Sequence, residues 1–105
     1  MSFLISLIIL IISPDQQEYC KLRGAVYIEE SPKFANFIVY EEDSEAFADV
    51  LIFEEDNKLF ADAPGKWYFV DSKGLADFTV YFTEDESKSH FSAYFVDSDT
   101  FAGCQ

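Results

Sequence analysis

A thirteen-residue unit recurs six times and limits what this chain can fold into more than any other feature. The copies occupy residues 24–36, 37–49, 50–62, 65–77, 78–90 and 91–103, interrupted only by Ala63-Pro64. The clearest copy, 50–62, reads VLIFEEDNKLFAD. An aromatic fills the fourth column of every unit: Tyr27, Tyr40, Phe53, Tyr68, Tyr81 and Tyr94. An acidic residue fills the seventh: Glu30, Asp43, Asp56, Asp71, Glu84 and Asp97. The twelfth is small: Ala35, Ala48, Ala61, Ala76, Ser89 and Ala102. Such a fixed period marks a repeat architecture, in which each unit buries its apolar face only against other units.

Thirteen residues span about 40 Å when extended, enough for one short strand and a return but not for a helix as well. Phe37 and Val39, like Val50 and Ile52, alternate onto one face, with Tyr40 and Phe53 on the other; strands with two apolar faces are covered on both sides. Acidic runs such as Glu41-Glu42-Asp43-Ser44 end each strand in a turn. The pairs Phe47-Ala48 and Phe60-Ala61 are expected to return the chain to the core, and the Asp that follows to cap the corner through backbone N–H groups. The halves differ. The fifth column holds Ile28, Glu41 and Glu54 in the first three units but Phe69, Phe82 and Phe95 in the last three, so the second-half strands are expected to be the more buried. Pro64 and Gly65 place a loop between two three-unit blocks. Trp67, just after it, is expected to plug the core. The fold expected is all-β: a compact, solenoid-like stack of six short-strand repeats in two halves of three.

With 105 residues the chain holds one small domain, and 50% apolar residues exclude disorder. A net charge of −13 repels nucleic acid and anionic lipid, leaving basic proteins or divalent cations as partners. Phe3 to Ile12 is a ten-residue apolar run, too short for a membrane helix and suited to the core of a signal peptide. No Lys or Arg precedes it and no Ala-x-Ala follows. Residues 1–19 are therefore read as a signal peptide or membrane-targeting segment, with a buried strand or helix as the alternative, and 20–105 as a secreted or periplasmic domain. Cys20 and Cys104 bracket the repeats. A disulfide would tie the ends together and contribute about 4–5 kcal/mol in the chain-entropy model; two buried thiols are the alternative.

The recurring Ala-Asp at 48–49, 61–62 and 76–77, the stretch Pro-Gly-Lys-Trp-Tyr-Phe-Val-Asp-Ser at 64–72 and the closing Phe-Ala-Gly at 101–103 resemble a family of small, uncharacterised bacterial proteins. Their thirteen-residue repeats wind into a septafoil, seven-crossing torus knot, and the insertion before the tryptophan is part of the likeness. The resemblance covers 20–104 and implies a knotted all-β fold whose halves wind around each other. It implies no activity, ligand or catalytic residue. The chain departs from the pattern in its acidity and in the fifth unit, where Lys88-Ser89-His90 replaces the apolar-Ala-Asp ending.

If successive units lie side by side, Glu42 falls near Glu55 and Asp43 near Asp56. Like charges in register are destabilising unless they splay into water or a hard cation bridges them. These four are the weak metal candidates, for Ca²⁺, although no EF-hand spacing is present. The only histidine, His90, stands at a turn, so no catalytic residue is assigned. The aromatic columns serve as core or as a binding surface, and open strand edges allow self-association. The expected function is a non-enzymatic exported structural or protein-interaction module without cofactor, its partner an unknown protein or a second copy. The alternative is a calcium-dependent module using stacked acidic turns.

Overall fold

The computed structural model describes residues 18–105, so the apolar run Phe3 to Ile12 lies outside the described residues. Each unit supplies one strand: β1 (Gly24–Ile28), β2 (Phe37–Glu41), β3 (Val50–Glu54), β4 (Lys66–Phe69), β5 (Phe78–Thr83) and β6 (Phe91–Phe95). A short β7 (Gly103–Cys104) pairs antiparallel with β3. Strands β1 to β6 pair in parallel in the order β4-β1-β5-β2-β6-β3, and β3 pairs back onto β4, so the sheet closes into a barrel. This replaces the expected solenoid, in which each unit would stack on the next. Here β1 and β2 are separated by β5, and β2 and β3 by β6.

The order follows from one step rule. Each unit carries the chain two strand positions around the barrel, so three units complete a lap. A second lap of equal step would collide with the first. The junction between β3 and β4 advances only one position, and it is where Ala63-Pro64 is inserted. The second lap thereby fills the gaps left by the first. Gly65 makes this tight step: its φ is +85°, and a Cβ there would lie 2.3 Å from the Gly103 backbone nitrogen. Only glycine combines that dihedral with that approach.

Every neighbouring pair in the barrel is offset by two residues of the repeat, as in Val26↔Phe69 with β4 and Val26↔Phe78 with β5. Six such offsets tilt the strands more steeply than the ~35–45° of common barrels and bring equal columns to one level. Column three makes the middle layer: Val26, Val39, Ile52, Trp67, Val80 and Ala93, all fully buried. Trp67 is thus the core plug expected, and its Nε1 donates to the Leu22 carbonyl at 3.2 Å. Phe37, Phe78 and Phe91 of column one close one end edge to face, with Tyr19 stacked on Phe91 at 4.6 Å. Phe69, Phe82 and Phe95 of column five cluster at the other, with centroids 6.2–6.3 Å apart.

The halves differ in burial only at that second end, where Ile28, Glu41 and Glu54 are exposed between the phenylalanines. The cores of β1 and β3 are as buried as those of β5 and β6. Interleaving is the reason: alternate strands of one barrel cannot occupy different depths. Cys20 and Cys104 form a disulfide with Cα atoms 5.2 Å apart, closing a loop of sequence separation 84.

Replacing Trp67 by alanine is expected to cost about 3–5 kcal/mol, as for other large-to-small changes in packed cores. Urea denaturation with the disulfide intact measures it, and a loss under about 1 kcal/mol would show that the middle layer does not depend on the ring.

Candidate functional site

The connections build the surface. After each strand comes a three-residue 3₁₀ turn: corner 1 (Pro32–Phe34), corner 2 (Glu45–Phe47), corner 3 (Lys58–Phe60), corner 4 (Lys73–Leu75), corner 5 (Glu86–Lys88) and corner 6 (Asp99–Phe101). In four of the six units the eighth-column residue caps the turn with its side chain. Ser31, Asn57, Asp85 and Ser98 accept from the backbone N–H two residues on, at 2.9–3.3 Å. Such short polar side chains compete for nearby backbone donors, which is why they start turns.

Each corner passes outside a strand of the barrel. Corners 1, 4, 5 and 6 lie against β5, β1, β2 and β3, corner 3 against β4, and corner 2 reaches β6 through Asp49. The thirteenth-column residue latches the corner onto that strand. Asn36 Oδ1 accepts from the Thr79 N–H at 2.8 Å, Asp49 Oδ2 from Ser92 at 3.0 Å and Asp77 Oδ2 from Ala25 at 2.8 Å. The backbone N–H of each latch donates in return to Thr79, Ser92 or Ala25. His90 fills this role in the fifth unit. Its Nδ1 accepts from the Ile38 N–H at 2.8 Å and its own N–H donates to the Ile38 carbonyl at 2.7 Å. Among the described residues Asp62 has no such bond, because corner 3 lies over the strand into which it leads. The capping expected of these residues is thus a bond between halves rather than a local one.

Phe47 and Phe60 do not return to the core. Ala48 and Ala61 do, with 6% and 4% exposure, while Phe47 and Phe60 are 75% and 59% exposed. Backbone leaving the corner alternates its side chains, so only one of the pair can face the strand beneath, and the approach there calls for a small residue, alanine in five units and serine in one. Phe34, Leu59, Leu75 and Phe101 are exposed in the same way. Taking the corners in the order of the strands they cover places Phe47, Phe101, Phe60, Leu75 and Phe34 at five successive corners around the barrel, with Lys88 at the sixth. The fourth-column aromatics are half-buried on the outer barrel face between corners.

The carboxylates do not stack as the sequence suggested. Because β6 separates β2 from β3, Glu42 and Glu55 follow strands that are not neighbours, and so do Asp43 and Asp56. The Glu42 N–H donates to the Ala93 carbonyl, and Glu55 lies 3.9 Å from Lys66 Nζ. Among the described residues no group of three or more His, Cys, Asp or Glu side chains converges as a metal site would require. Lys73 Nζ lies 2.7 Å from Glu29 Oε2, off hydrogen-bond alignment, and 5.7 Å from the Phe34 ring centre, joining corner 4 to corner 1.

Acidity instead concentrates around β2 and β5. A cleft of about 510 Å³ there is lined by Tyr40, Glu41, Asp43, Phe82, Thr83 and Glu84. Partial burial pushes the Tyr40 hydroxyl above its ordinary range, and the charges of Glu42, Glu86 and Asp43 add to the shift. A smaller cleft of about 280 Å³ joins Glu45 of corner 2 to Phe101 of corner 6, with Tyr94, Phe95 and Asp97 between them. In both, no lysine or arginine lines the wall.

The 7(1) septoil knot domain model matches residues 19–105 of the chain. The chain belongs to this family. No curated protein and no solved structure matches it significantly. The match begins at Tyr19, the residue stacked on Phe91, and so spans the septoil knot domain from its first described core contact.

Two outcomes test the corners. The Ile38 bond needs a lone pair on His90 Nδ1, so ¹⁵N-resolved NMR is expected to show the proton on Nε2. His90→Asp, which supplies the acceptor used in other units, should keep wild-type stability, while His90→Ala should lose about 1 kcal/mol; equal stability of all three would remove the latch. At Asp85, hydrogen bonds from Ser87 Oγ and N hold the carboxyl below its usual 3.8. Its cap is then intact above the ordinary aspartate range and is lost as pH falls through the lower folded value. Carboxyl ¹³C titration should give a midpoint below 3.8 that rises in Ser87→Ala.

Proposed function

We propose that this septoil knot domain is a non-enzymatic, exported interaction module whose apolar corners grip a basic, apolar segment of another protein. The observation that carries the reading is the arc of Phe47, Phe101, Phe60, Leu75 and Phe34. Single exposed apolar residues are ordinary, but here five of six units place a large apolar side chain at the same exposed column. A ring of large apolar side chains exposed at successive corners offers a partner repeated anchor points. The charge of −13 selects the partner. It repels a second copy at low ionic strength and attracts a cationic one, and the clefts beside Phe101 and Tyr40 offer carboxylates without a competing lysine. The disulfide is compatible with an oxidising compartment, which supports secretion or a periplasmic location.

We further propose that the chain follows the seven-crossing path of its family. Support comes from the match over 19–105 and from two laps interleaved strand by strand around one barrel. Unknotted chains are the rule; here the single-step junction at Pro64 sends the second lap between strands already laid down.

A labelled amphipathic peptide of alternating leucine and lysine faces tests the surface by fluorescence polarisation. Binding is expected to weaken with salt and to fall at least tenfold in Phe47→Ser/Phe101→Ser, which keeps the net charge. That variant should keep stability within about 0.5 kcal/mol per site, since both rings are exposed. A glutamate–leucine peptide should not bind. Equal binding by wild type and variant would reduce the attraction to bulk charge, and concentration-dependent dimerisation lost in the variant would assign the arc to self-association; either result overturns the proposed partner.

A further inference from the structure

The disulfide joins residues that lie at the two ends of the repeat array. Cys20 precedes β1 by a few residues, Cys104 ends β7, and the bond closes everything between into one covalent ring. All six strands and all six corners lie inside that ring. An open knotted chain can untie once denatured, because its ends slide back through the loops. A closed ring cannot change its knot type without breaking a bond, whatever the solvent.

We infer that the Cys20–Cys104 disulfide converts the folded chain into a covalently closed knot, so that the topology outlives denaturation until the bond is reduced. The inference rests on the knotted path proposed above. The release step is ordinary exchange. A dithiol attacks one sulfur, the ring opens to two cysteine thiols, and the dithiol leaves as its own cyclic disulfide. The physical consequence is larger than the loop-closure entropy of about 4–5 kcal/mol for a ring of this size. An oxidised denatured chain already holds the crossings and has only to re-form strands. A reduced one must thread its ends again. The bond therefore acts as a redox-controlled lock on topology, set when a disulfide oxidant exchanges with the two thiols of the folded domain and leaves as its own dithiol.

The test compares two chains of identical covalent structure. One is the native oxidised protein unfolded in guanidinium. The other is the full-length chain assembled by chemical ligation in guanidinium and oxidised there before it has ever folded. The lock requires the first to have the smaller hydrodynamic radius in denaturant and to refold on dilution. The second should stay unfolded on dilution until a dithiol is added, and then fold in its reduced form. A third measurement reads the knot separately. In the Cys20→Ser/Cys104→Ser protein, stable bulky domains fused to both termini should slow refolding at least tenfold, because each must be drawn through a loop. If the fused protein refolds at the unfused rate, the knotted path fails and the lock with it. If the fusions slow refolding while the two oxidised chains share one radius and one refolding yield, the path stands and the lock is overturned.

Discussion

Backbone pairing between the two halves is the interaction on which everything else depends. Apart from the junction pair β3–β4, every parallel ladder joins a strand of the first three units to one of units four to six that is not its neighbour in sequence. Neither half can satisfy its own backbone donors, since its three strands alternate with vacant positions that only the other half fills. Buried N–H and C=O groups left unpaired are costly, so the halves fold as one unit or not at all. The uniform two-residue offset then stacks equal columns into layers, and Trp67, the bulkiest side chain of the middle layer, shares that layer with Ala93, one of the smallest.

The same constraint shapes the surface. A connection that steps over a strand must travel outside the barrel, and four of the six corners are fastened to the strand they cover. The latches at Asn36, Asp49, Asp77 and His90 perform that task with one side-chain acceptor and one backbone donor each. Alanine in the preceding column lets the two backbones approach. The large side chain before it is thereby turned outward, and the exposed apolar column is a geometric by-product of the crossover.

Much of this was legible in the repeat. The six strands, the turns that end them, the buried tryptophan and the special status of Pro64-Gly65 all follow from register and turn signals, because these are local consequences of side-chain period and turn chemistry. The Phe-Ala pairs depart from the expected return to the core because alternation continues beyond the turn: one of two adjacent extended residues must face water, and it is the phenylalanine. His90 carried a usable signal, since it stands in the latch column of Asp and Asn and shares with them an acceptor atom at short reach. The pairing of Glu42 with Glu55 depended on which units are neighbours, and nothing local encodes that.

The sequence by itself determined the unit: one strand and one corner, repeated six times with a single two-residue break. Tertiary structure alone decided that the units close into a barrel, that the second lap enters the gaps of the first, and that the phenylalanines ride outside. The reason is that a strand's own residues specify its faces and its length, whereas the identity of its ladder partner is fixed only when the ring closes and every backbone donor has to be satisfied at once.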